Sequence, residues 1–98
     1  MAVDRGLLAI LEAKPGKGDE LASFLRQGQA LAALEDGTVT WYAFRLSDTT
    51  YGIFDTFANE EGRQAHLNGQ IPAALGAVGP DLLASDPDIR TTDIIAVK

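Results

Sequence analysis

The chain begins with an unbroken apolar run, GLLAILEA at residues 6–13, closed by Pro15-Gly16; this predicts a buried strand. DELASFLRQGQALAALEDG, residues 19–37, follows with helical spacing. Its apolar stripe is Leu21, Phe24, Leu25, Gly28 and Leu31 or Ala32, with Asp19 and Glu20 at the positive end and Gly37 just past the last turn. Gly28 weakens that stripe by about 1 kcal/mol relative to Ala, which close helix–sheet approach would explain. Residues 38–46, TVTWYAFRL, and 50–57, TYGIFDTF, are aromatic and β-branched and read as a hairpin. A two-residue loop at Asp48-Thr49 would place Tyr42 opposite Asp55, Thr40 opposite Phe57 and Trp41 opposite Thr56. Thr40, Tyr42, Phe44, Ile53, Asp55 and Phe57 then share one face, while Val39, Trp41, Ala43, Arg45, Gly52 and Phe54 share the other.

Asn59 caps a helix running to about Asn68, with Glu60 and Glu61 in its first turn. Pro72 and Pro80 each open a further short turn, and residues 89–97, IRTTDIIAV, form the last strand. The order strand, helix, strand, strand, broken helix, strand predicts a single α+β domain over residues 1–98. It is ferredoxin-like, βαββαβ, with a four-stranded antiparallel sheet and its helices on one face. A sheet with its other face in water should alternate apolar and polar residues. Here Leu7-Leu8, Ile10-Leu11, Trp41-Tyr42, Ile53-Phe54 and Ile94-Ile95 are apolar on both faces. A second copy pairing through its sheet is the simplest cover, which predicts a homodimer.

Composition narrows the chemistry. The chain is 46% hydrophobic and 22% charged, a globular balance. A net charge of −6, with eight scattered basic residues, argues against nucleic acid and against anionic membranes. Without cysteine there is no thiolate metal site or thiol nucleophile, and one histidine excludes a multi-histidine zinc site within the chain. No Gly-rich phosphate loop follows a strand, so no cofactor is expected. Five apolar residues, Leu7 to Leu11, are too few for a signal core or a membrane span, and the expected location is the cytoplasm.

Four stretches, EAKPGKGDELASFL, WYAFRLSDTTYGIFDTF, NEEGRQAHL and a final short strand, together resemble the antibiotic biosynthesis monooxygenase domain of the dimeric α/β-barrel superfamily. The most specific part is Asp55-Thr56-Phe57 followed by Ala65-His66, although many members of that family have glutamate and tryptophan where Asp55 and Phe57 stand. The resemblance implies a dimeric α/β barrel and a cofactor-free monooxygenase acting on a small phenolic, quinol or anthrone-like substrate. It also allows an isomerase, a haem-handling protein or a non-catalytic module that binds a small apolar or aromatic ligand. Haem is disfavoured because the first strand lacks the asparagine of the haem degraders.

His66 is the only histidine, on a face with Gly62, Ala65 and Gly69, and is expected to point toward the sheet. It reads either as a general base or as a packed residue bonded to a carbonyl or to Asp55. Asp55 would orient it or a substrate hydroxyl, Tyr42 would hydrogen-bond a substrate oxygen, and Phe44 and Phe57 would line the substrate. Each also reads as ordinary packing or, for Asp55, as a solvated strand edge or a salt bridge at the dimer seam. Trp41 and Arg45 are expected on the opposite face as dimer anchors.

Overall fold

The computed structural model describes residues 3–98. Its strands are β1 (Arg5–Glu12), β2 (Thr38–Arg45), β3 (Thr50–Phe57) and β4 (Asp88–Asp93), and its helices α1 (Gly18–Ala32), α2 (Glu60–Leu67) and α3 (Gln70–Leu82). The strands form one antiparallel sheet in the order β2-β3-β1-β4, the ferredoxin-like arrangement.

The helices cover the face carrying Leu7 and Leu11 of β1 and Tyr51, Ile53, Asp55 and Phe57 of β3, all buried. α1 buries Leu21, Leu25, Gly28 and Ala32 against it, so the predicted stripe closes on Ala32. Gly28 has the anticipated reason. A Cβ there would lie 3.3 Å from the Trp41 indole, tight enough that the ring would have to give by a few tenths of an ångström. The helix ends earlier than residue 37, because Leu34 and Glu35 donate to carbonyls three residues back and tighten the chain into turns.

The hairpin register differs from expectation by one residue. Arg45 pairs with Tyr51, Ala43 with Ile53 and Trp41 with Asp55. The loop holds three residues, Ser47 to Thr49. Leu46 N donates to Thr50 O (2.8 Å), and the Ser47 hydroxyl accepts from the backbone N–H groups of Thr49 and Thr50 (3.3 and 3.0 Å). A slip of one residue moves a whole strand to the other face. Trp41 and Arg45 therefore share the helix-covered side with Asp55, whereas Tyr42 and Phe44 lie with Phe54 and Gly52 on the uncovered side. Phe44 folds its ring over Gly52, filling the space a side chain would take there. An irregularity between Thr38 and Thr40 adds one residue, Val39, at the start of the strand.

Pro72 and Pro80 do not break the second helical region into separate turns. α3 is continuous, with Pro80 exposed in its last turn and its carbonyl accepting from Lys14 Nζ (2.6 Å). β4 stops at Asp93, short of residue 97; Ile94 N still bonds Asp4 O (3.0 Å), after which the chain leaves the sheet and Ile95 is 97% exposed.

Candidate functional site

Two clusters hold the residues of interest, and a contact between backbones creates the first. A Cβ on Gly37 would lie 2.8 Å from Gly62 Cα, and one on Gly62 would lie 2.8 Å from Gly37 O. Only a glycine pair lets α2 sit this close to the connection between α1 and β2. Asn59 starts α2 by accepting from Gly62 N–H through Oδ1 (2.9 Å), which fixes the helix at that contact. The approach brings Glu35 to His66.

Glu35 Oε1 lies 2.7 Å from His66 Nδ1 and also accepts from the Thr38 hydroxyl (2.7 Å). On the other side of the ring, Nε2 lies 2.9 Å from Asp55 Oδ2, an ion-pair contact without the alignment of a full hydrogen bond. His66 is 6% exposed and Asp55 1%. Phe57, fully buried, packs its ring 5.4 Å from the imidazole. Burial disfavours the imidazolium, but Asp55 and Glu35 outweigh it and hold the His66 pKa above its ordinary 6.5. With a carboxylate beside each nitrogen the protonated ring is favoured, and in that form it offers no lone pair to a substrate.

The α2 face is not the small-residue stripe expected. Ala65 is exposed, and Arg63 is buried in its place. Its guanidinium donates to Gly6 O and Thr92 O (3.3 Å each) and pairs with Glu60, tying the helix to β1 and β4. Hydrogen bonds from Arg63 and then Gln64 hold Glu60 in its charged form, its pKa lowered to about 2.

The second cluster lines a cavity of about 360 Å³ between α1 and the outer strand β2. Trp41 and Tyr51 supply aromatic walls, Tyr42 and Phe44 border the cavity along β2 although they belong to the opposite sheet face, and Arg26 and Arg45 supply charge. The Arg45 guanidinium carbon lies 5.9 Å from the centre of the Tyr51 ring. An adjoining cavity of about 290 Å³ is more polar, with Glu35, Thr38 and Thr40 in its wall; Gln29 and Trp41 line both. Trp41 Nε1–H is buried without an acceptor.

The five residues singled out from the sequence therefore separate. Asp55, Phe57 and His66 meet in the buried cluster, and none of the three lines either cavity. Tyr42 and Phe44 line the aromatic cavity, and the corrected register places Tyr42 across from Phe54, 61% exposed and away from Asp55. Sequence reasoning missed Glu35, Arg26 and Arg63. Glu35 carried no local signal, because it meets His66 across 31 positions of chain.

No protein-family model and no curated protein matches the chain. Among solved structures, NE2512, a protein of unknown function from Nitrosomonas europaea, is 48% identical. The match covers 98% of this chain and 93% of that one, with a TM-score of 0.96. A candidate antibiotic biosynthesis monooxygenase from Caulobacter crescentus is 22% identical over 96% of this chain and 92% of its own, with a TM-score of 0.80. A second candidate monooxygenase of that kind, from Nitrosomonas europaea, is 11% identical over 97% and 93%, with a TM-score of 0.83. At such identities the last two speak to fold alone. The chain therefore belongs to the same family as NE2512 and has the fold seen in candidate antibiotic biosynthesis monooxygenases.

Proposed function

We propose that the chain is a dimeric, cofactor-independent monooxygenase that oxidises a small phenolic, quinol or anthrone-like substrate in the cavity under α1. The observation that carries this reading is the aromatic-walled cavity of about 360 Å³, within the size range of small-ligand sites. The fold is the one seen in the candidate antibiotic biosynthesis monooxygenases, and the reaction class is taken from their names.

In this reading the ring lies against Trp41 and Tyr51, on the side of the sheet that faces α1. An electron-rich substrate, once ionised, reduces oxygen itself. For an anthrone-type methylene, one oxygen atom becomes the new carbonyl and the other leaves as water with the two displaced hydrogens. Glu35 lines the adjoining cavity, which shares Gln29 and Trp41 with this one, and is the carboxylate assigned here to take the substrate proton. His66 and Asp55 act through it as positioning residues, and the imidazolium between the two carboxylates keeps Glu35 aimed. His66 therefore supports the site from behind rather than acting as the base that touches substrate.

Trp41 is the only tryptophan, so its fluorescence reports occupancy of the cavity directly. Titrating hydroquinones, naphthols and anthrones while recording fluorescence and oxygen uptake tests the proposal. Quenching accompanied by oxygen uptake that slows in Glu35→Gln supports it. Quenching without uptake converts the assignment to a ligand-binding module, a reading favoured by the pinned imidazole. No quenching by any member removes the cavity from the account.

A further inference from the structure

We infer that the ligand of the α1–β2 cavity is an aromatic anion, a planar ring bearing a carboxylate or an equivalent acidic group, clamped by Arg26 and Arg45. The inference rests on the reading above that this cavity holds a small aromatic molecule, and it adds the ligand's charge.

The argument comes from where this acidic chain leaves its cations. It carries 14 acidic against 8 basic residues, so acceptors for a guanidinium abound. Arg5 lies 3.3 Å from Asp4, Arg90 lies 3.0 Å from Asp88, and Arg63 pairs with Glu60. Among the described residues, Arg26 and Arg45 are the arginines without a carboxylate at ion-pair distance, and both line the same cavity. No aspartate or glutamate lines that cavity with them. Two uncompensated guanidiniums on one concave surface raise the local potential and match the planar geometry of a carboxylate, which each can bind through paired N–H donors. Trp41 and Tyr51 supply flat walls for the ring, and Gln29 adds a neutral amide between this cavity and the polar one. A neutral aromatic would use the walls and leave Arg26 without a counter-charge and Arg45 with only the Tyr51 ring beside it.

The test uses matched pairs in which the ring is kept and the charge removed: 4-hydroxybenzoate against 4-hydroxybenzamide, and 2-naphthoate against 2-naphthamide. Binding is followed by Trp41 fluorescence and by amide chemical-shift changes in β2 and α1. The acid should bind about tenfold or more tightly than its amide, as expected for charge-assisted hydrogen bonds. Arg26→Gln and Arg45→Gln should each erase most of that preference while leaving amide binding nearly unchanged. Arg45→Lys should retain part of it. Arg26 and Arg45 are both exposed, so these variants should melt close to the parent, a control to be run alongside. If acid and amide bind equally, or the preference survives both substitutions, the anion assignment is overturned while the aromatic cavity stands. If neither member perturbs Trp41, the cavity reading fails and takes this inference with it.

Discussion

His66 shows how a single side chain is decided by its neighbours. A lone histidine in an apolar sequence context reads as a candidate base, yet here Asp55 and Glu35 flank both nitrogens and favour the charged ring. Because the folded pKa is raised above the unfolded value, the histidine's contribution to stability is complete below about 6.5 and declines as pH rises through the folded pKa. Melting temperature should therefore fall as pH rises from 6.5 toward the alkaline side, and His66→Gln should flatten that dependence. The same substitution leaves the buried Asp55 carboxylate and the half-buried Glu35 carboxylate without the cation between them and should cost about 3–5 kcal/mol in denaturant unfolding. Glu35→Gln isolates the other partner. It should lower the His66 pKa in a proton NMR titration, and an unchanged midpoint would show that Glu35 does not support the imidazolium. Asp55 and His66 were legible together because the pattern shared with the resembled family sets Asp55-Thr56-Phe57 at a strand end and Ala65-His66 on the helix that follows. Glu35 was not, since nothing local marks a residue whose partner is 31 positions away.

Among the elements, two close contacts and one loop decide the geometry. Gly37 against Gly62 sets how near α2 comes to the start of β2, and hence whether Glu35 reaches the ring. Gly62→Ala should destabilise by about 1–3 kcal/mol through overpacking against backbone that cannot yield. Gly76→Ala is the natural contrast. Its Cβ would meet nothing within 4 Å, so removing a glycine from the helix interior should raise stability by up to about 1 kcal/mol. Thermal melts of the two variants should move in opposite directions; parallel shifts would mean that helix propensity, not the glycine contact, governs both. Element types and order were readable because apolar spacing differs between helix and strand, as in the Leu21, Leu25, Gly28 stripe. The hairpin register was not, because two- and three-residue loops differ by one position, and the Ser47 hydroxyl selects the longer one. That small choice carried Tyr42 to the far face and Trp41 under α1. Pro80 misled in the opposite sense, since an exposed proline in a last turn leaves the helix continuous.

At the scale of the whole molecule, the sheet face opposite the helices exposes a continuous apolar strip. Leu8 and Phe54 are cross-strand partners there, Tyr42 pairs with Phe54, and Ile10 and Phe44 flank Gly52 from either side. At the β4 margin the same face turns polar, with Arg90 beside Leu8 and Asp88 beside Ile10, and an Asp88–Arg90 ion pair at 3.0 Å. An apolar centre with a charged rim is the anatomy of an interface. A second copy supplies the matching surface without any further sequence, and its twofold pairing would complete the α/β barrel proposed above. The chain should therefore sediment as a dimer at micromolar concentration. Phe54→Lys and Leu8→Lys each place a cation in the centre of the strip and should yield monomers or unfolded chain. Leu34→Lys changes an equally apolar, 78% exposed residue that lies outside the sheet, and should leave the mass unaltered. Light scattering separates these outcomes. A wild-type monomer, or a dimer that survives both sheet-face charges, would mean that the copies do not meet through this face. Tyr42 and Phe44 connect the strip to the aromatic cavity, since they belong to both. Dissociation by Phe54→Lys should therefore also weaken ligand binding if the second copy helps hold those rings in place.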